Sequence, residues 1–190
     1  MGEGMDRRVA LMMADGLEEI EGLTVADILC RAKIPCDLIC VTGGLEVTSS
    51  HGIRIGCDQA FDDIDFANYD VIVLPGGMPG TLNLKACEPL LQQLRTFVAD
   101  GRAVAAICAA PTVLAAAGVL DGRQATCYPG FEADLEAAGA TFLADAVVVD
   151  GPVTTSRGMG TAIDFALQIV ASIQGDDAAD VIAQEIVLMR

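Results

Sequence analysis

The stretch "AVAAICAAPTVLAAAG", Ala103 to Gly118, decides how the rest of the chain is read. Its first five residues are apolar on every side, which suits a strand covered on both faces of a sheet. Pro111 stands where a helix begins, because a missing N–H does no harm in the first turn. Gly118 then closes that helix as a C-cap. Cys108 falls at the corner between the two elements. A thiol in such an apolar run reads first as a core residue, since free cysteine is among the most buried residue types. The corner suggests something else. A side chain at a strand–turn–helix junction is presented at the end of the sheet, as in a nucleophile elbow. The helix start also favours a thiolate through its unpaired N–H groups.

Outward from this stretch the chain alternates. "RRVALMMA" reads as a strand and "LEEIEGLTVADILCRA" as a helix, followed by "PCDLICVTGG" as a second strand. "LEVTSSHGIRIGCD" alternates around Gly52 and reads as a hairpin or bulged ribbon. "YDVIVLPGG" is a continuous apolar strand closed by Pro-Gly-Gly, and "CEPLLQQLRTFVADG" is a helix ended by Gly101. Beyond Gly118, "FEADLEAAGA" is helical, "AVVVDGPVTTS" is a hairpin, and "MGTAIDFALQIVASI" and "DAADVIAQEIVLM" are helices. Doubly apolar strands alternating with helices imply an α/β, doubly wound sandwich with a mainly parallel central sheet. The expectation is one domain over residues 6–190, with sites beyond the carboxyl ends of its strands.

The chain has 190 residues, 53% of them hydrophobic, enough for one sizeable core. Its formal net charge of −16 disfavours nucleic acid and anionic membrane surfaces as partners. No apolar run reaches the length of a membrane span. The opening "MGEGMDRR" is too short and polar for a signal peptide, so a cytoplasmic location is expected. Seven scattered cysteines with no C-x-x-C argue against a disulfide framework. With His51 as the single histidine, neither a zinc site nor a Cys–His catalytic pair is expected, and no cofactor is implied.

Two further stretches lie at strand ends. In "LPGGMPG", Leu74 to Gly80, Gly76 and Gly77 can turn backbone N–H groups towards an anion, or simply make a tight turn. No G-K-[ST] follows, so a phosphate loop is excluded. In "GLEEIEG", Glu18 and Glu19 are explained by the start of a helix. Glu21 lies four residues after Leu17 and four before Val25, on the apolar face. Burial and like charge would raise its pKa, so that it holds a proton near neutrality.

Together, "ADGLEEIE", "YDVIVLPGGMPG", "AAICAAPTVLAAAGVLDGRQAT" and "VTTSRGMGTAIDFALQIV" resemble the ThiJ/PfpI superfamily, in the branch of the parkinsonism-associated protein deglycase. The resemblance covers nearly the whole chain. It implies a flavodoxin-like sandwich within the class I glutamine amidotransferase-like group, and a homodimer. It matches Cys108 to the family's elbow cysteine, Glu21 to the acid that hydrogen-bonds the thiolate, and the N–H groups of Gly77 and Ala109 to the anion hole. Arg31 matches an arginine lining the pocket from the dimer side. His51 replaces an arginine in "SSHG", where it is either a pH-dependent pocket residue or a solvent-facing turn residue. Tyr128 stands in "TCYPG" where many members have histidine, and Ala110 in "CAAP" is expected to crowd the pocket. The implied activity is cofactor-independent glyoxalase or deglycase chemistry on methylglyoxal, glyoxal or glycated adducts. The alternative is an oxidative-stress sensor or chaperone acting through Cys108. A cysteine peptidase or amidase, or a thiazole monophosphate biosynthesis role, is disfavoured for want of a base and of a phosphate loop.

Overall fold

A computed structural model describes residues 7–189. The opening "MGEGMD" of the segment considered as a leader, and the outermost residues of the expected 6–190 domain, Asp6 and Arg190, lie outside the described residues. In chain order the elements are β1 (Val9–Met13), α1 (Glu19–Arg31), β2 (Cys36–Cys40), β3 (Glu46–Thr48), β4 (Arg54–Gly56), β5 (Gln59–Ala60) and β6 (Val71–Leu74). These are followed by α2 (Gly80–Ala86), α3 (Glu88–Ala99), β7 (Ala103–Ile107), α4 (Pro111–Ala117), β8 (Gln124–Ala125), α5 (Glu132–Ala137) and β9 (Thr141–Phe142). The hairpin β10 (Val147–Asp150) and β11 (Val153–Ser156) precedes α6 (Ala162–Gln174) and α7 (Asp176–Glu185).

The central sheet runs β10-β11-β7-β6-β1-β2-β5, parallel throughout except for β10. The structure is thus a mixed α/β sandwich on a mostly parallel sheet, of flavodoxin-like type. Period-two alternation divides each strand between two cores. Ala10, Met12, Ile72, Leu74, Val104 and Ala106 face the layer holding α2 to α5. Val9, Leu11, Met13, Val73, Ala105 and Ile107 face α1, α6 and α7. Burial on both sides explains why these strands read as unbroken apolar runs. The chain leaves β1 for β2, then returns to β6 on the other side of β1. That reversal opens a crevice beyond the carboxyl ends of the central strands, where ligands bind in open α/β sheets.

The segment 45–58 forms the expected hairpin, with Val47 opposite Ile55. Helix α2 and the two-residue strands β5, β8 and β9 were not anticipated. Elements this short span too few residues to display a period. The last helix stops at Glu185, short of the expected Met189. Val187 adopts φ +58° and turns the chain out of the helix: its N–H donates to Gln184 O and that of Leu188 to Ala183 O, while Leu188 packs back against the core.

Candidate functional site

Cys108 follows β7 directly with φ +67°, a left-handed conformation that costs a non-glycine residue free energy. Its neighbours hold it there. Its N–H donates to Ser156 O at 2.9 Å, and its carbonyl accepts from Tyr128 N–H at 2.8 Å. Helix α4 begins three residues later at Pro111, as the proline suggests. The thiol is part-exposed, whereas Ala109 and Ala110 are buried. Ala110 packs in the core with Val113 and Leu114 and does not crowd the cavity.

The turn after β6 brings glycines against this corner. A side chain at Gly77 would collide with the backbone of Leu17 and Glu18, and Gly77 has φ +90°. A Cβ on Gly76 would stand 2.7 Å from both Cys108 Cβ and Glu21 Oε2. Only glycine at these positions lets the turn close on α1 and Cys108. The N–H groups of Gly77 and Ala109 stand close enough to the Cys108 sulfur to favour its charged form. Gly76 does not join them. Its N–H donates to Glu21 Oε2 at 2.8 Å, so the expectation that it binds substrate gives way to a role in fixing the carboxyl.

Glu21 is 1% exposed, as its place on the apolar face of α1 predicts. Burial, helped by the charge of Glu18, raises its pKa to about 7 despite hydrogen bonds with Cys108 and Gly76. Its Oε1 is buried with no hydrogen-bond partner of ordinary geometry. The Cys108 thiol departs from expectation. Burial and the neighbouring Glu21 carboxylate push it up to about 12, outweighing the N–H groups of Ala109 and Gly77. Two groups this close do not ionise independently. The second proton leaves only against the charge left by the first.

These groups line a cavity of about 440 Å³ with Glu18, His51, Met78, Tyr128, Phe131 and Met159. Met78, Phe131 and Met159 carry no local sequence signal and were missed. A cleft of about 620 Å³ at the opposite end of the strands is larger, but Arg7, Lys33, Asp70 and Arg102 line it without a cysteine or histidine. Reactive groups, not size, select the smaller cavity.

His51 sits on the β3–β4 turn at the cavity mouth, so it is both a turn residue and a lining residue. Its Nδ1 lies 2.9 Å from Glu19 Oε1 and 3.9 Å from Glu18 Oε2. Glu19, which a helix start seemed to explain, is therefore buried with its carboxylate against the His51 imidazole. Among the described residues these three are the one group whose donor atoms all lie within 4.8 Å, as a metal would require. Arg31 is not brought to the cavity within one chain; it pairs with Asp27 at 2.8 Å on the exposed end of α1.

Residues 7–172 match the DJ-1/PfpI family. The chain is 37% identical over 91% of its length to protein DJ-1 homolog B of Arabidopsis thaliana, of which it spans only 40%. It is 34% identical to the glutathione-independent glyoxalase DJR-1.2 of Caenorhabditis elegans, over 95% of each chain. The crystal structure of Drosophila melanogaster DJ-1beta superposes with a TM-score of 0.93 at 35% identity, covering 98% of this chain and 100% of that one. No helix among the described residues is long and apolar enough to cross a membrane.

Proposed function

The chain belongs to the DJ-1/PfpI family, and on that premise we propose that it is a cofactor-independent glyoxalase and deglycase in which Cys108 is the nucleophile and Glu21 the proton carrier. One observation supports this above the rest: a thiol and a carboxyl with a pKa of about 7 meet in one cavity, with two backbone N–H groups aimed at the sulfur. A carboxyl poised near the working pH can both accept and return a proton. The name of the nematode relative supports the same chemistry.

In this reading the proton that rests on the Cys108 sulfur moves to the Glu21 carboxylate as the reaction begins, which leaves the sulfur as a thiolate. The thiolate attacks the aldehyde carbon of methylglyoxal, and the carbonyl oxygen takes the proton to give a hemithioacetal. The N–H groups of Gly77 and Ala109 stabilise the oxyanion as it develops. Glu21 then removes the proton from the former aldehyde carbon, and a proton returned to the neighbouring carbon leaves a lactoyl thioester. Water cleaves the thioester to lactate and restores the thiol. One methylglyoxal and one water give one lactic acid. A hemithioacetal or hemiaminal adduct of a protein side chain enters the same sequence with release of the thiol or amine. His51 and Tyr128 line the entrance, and a homodimer is part of the proposal, since only a second subunit could bring Arg31 near the cavity. The test is lactate formation from methylglyoxal without glutathione. Cys108→Ser should lose at least about 100-fold in rate; equal rates in the two proteins would defeat the reading.

A second reading is favoured by the unpartnered Glu21 Oε1. Two equivalents of peroxide would convert the Cys108 thiol to sulfinic acid and release two waters. A protonated Glu21 would then donate to the sulfinate. Mild peroxide should place two oxygens on Cys108; their appearance on a different residue would exclude this reading.

A further inference from the structure

The chemistry above leaves six cysteines unused, and two of them meet. Cys40 ends β2 and is fully buried, while Cys57 follows β4 and is partly exposed. Both belong to the apolar layer that holds Val47 and Ile55 of the β3–β4 hairpin. The backbone around Cys57 is laced to β2 and to the start of the hairpin. Cys57 N–H donates to Leu45 O at 2.8 Å, and Asp58 N–H to Leu38 O at 2.8 Å. Leu38 N–H answers by donating to Asp58 Oδ2 at 2.8 Å. The Cys40 sulfur lies 3.8 Å from Glu46 O, and Glu46 pairs with Gly56, so Cys57 leaves the hairpin directly beside the Cys40 side chain. Cys40 also donates to Gly43 O at 3.2 Å, which fixes its sulfur at the base of the loop.

We propose that Cys40 and Cys57 form a reversible intramolecular disulfide under peroxide stress, a second redox site separate from Cys108. The exposed partner reacts first. Cys57 sulfur attacks one peroxide oxygen, the O–O bond breaks, and one water leaves as a sulfenic acid forms. Cys40 sulfur then displaces the hydroxyl from Cys57, releasing the second water and closing the S–S bond. Two thiols and one peroxide give one disulfide and two waters; sulfur is oxidised and oxygen reduced.

Burial and the neighbouring Cys40 push the Cys57 thiol up to about 12, so Cys57 stays protonated and reacts slowly. Its high pKa also makes Cys57 a poor leaving group, so the disulfide resists attack at Cys40 once made. The pair is thus suited to sustained oxidation. Its consequence is local. The bond closes residues 41–56 into a loop that contains the whole hairpin and the turn bearing His51. Ser50 N–H of that turn already donates to Leu17 O, beside the Cys108 cavity. Oxidation therefore stiffens one wall of the cavity mouth.

The test is peptide mapping of the full chain after peroxide, with free thiols blocked under denaturing conditions. The expected result is a cross-linked peptide containing Cys40 and Cys57, two hydrogens lighter than the reduced pair and released by dithiothreitol. The oxidised protein should melt about 5–10 °C higher, as closure of such a loop implies. Cys57→Ser and Cys57→Ala should show neither change, while Cys108 oxidises in them as before. Full alkylation of Cys40 and Cys57 after Cys108 has been oxidised would overturn the proposal. So would a cross-link joining either of them to Cys30 or Cys36.

Discussion

Glu19 and Glu21 lie two residues apart in α1, and both carboxyls are shielded from water. Their protons behave in opposite ways. Burial pushes Glu19 upward, but hydrogen bonds from His51, its own backbone and Ser49 win, and its pKa falls below the usual value. Burial pushes Glu21 upward too, and there a thiol and one N–H offer no positive charge to oppose it, so its pKa settles at about 7. Burial sets the penalty, and the charge of the partner decides the outcome. One helical turn thereby holds a fixed anion facing the mouth and an exchangeable proton facing the sulfur.

The most forceful way to break this comparison is to neutralise each acid in turn. Glu21→Gln should lower lactate formation by about 10²–10³-fold, while Glu19→Gln stays within about threefold. Equal losses would mean that the two acids do not differ in role. Stability should separate them next. As pH rises from about 4.5 to 7, the unfolded chain ionises Glu21 before the folded one does, so the folded state loses stability. A carboxyl held at about 7 costs up to about 3 kcal/mol once ionised. Denaturant melts should therefore show Glu21→Gln gaining on the wild type between pH 5 and 8 by that order, with no such gain for Glu19→Gln.

Gly76→Ala sharpens the contrast sterically. Its Cβ would collide with Cys108 Cβ and Glu21 Oε2, and it should cost about 1–3 kcal/mol in a denaturant titration. An unchanged midpoint would show that the carboxyl is not pinned between glycine and sulfur. The smallest effect is expected at the mouth. The carboxylate of Glu19 raises the His51 pKa, so their mutual stabilisation is present once Glu19 ionises. It fades as pH climbs through the raised imidazole value. The melting difference between wild type and His51→Gln should be largest near pH 5–6 and shrink by pH 8; a constant difference would exclude the ion pair.

The sequence makes some of this arrangement plain and hides the rest. Fully apolar strands such as "VIVL" and "VAAI" announce a sheet covered on both sides, and Glu21 betrays its inward direction by its spacing from Leu17 and Val25. Pairings made in three dimensions carry no comparable local mark. Nothing near Glu19 announces His51, 32 residues away, and nothing near Cys40 announces Cys57. The Gly76 N–H could have faced the cavity or Glu21; a dipeptide of glycines does not say which. The charge state of Cys108 was the hardest to read. The corner promised stabilising N–H groups, and these are present, but burial and Glu21 oppose them more strongly.

The central claim is that Cys108 and Glu21 share one proton near neutrality. It is tested most directly by the rate of Cys108 alkylation against pH, followed by mass at that residue, in wild type and Glu21→Gln. The wild type should show a first rise near pH 7, where the pair releases its first proton, and a second only in strongly alkaline solution. Glu21→Gln should replace both with one step at an intermediate pH. A single wild-type step near about 8.5, the ordinary thiol value, left in place by Glu21→Gln, would contradict the account.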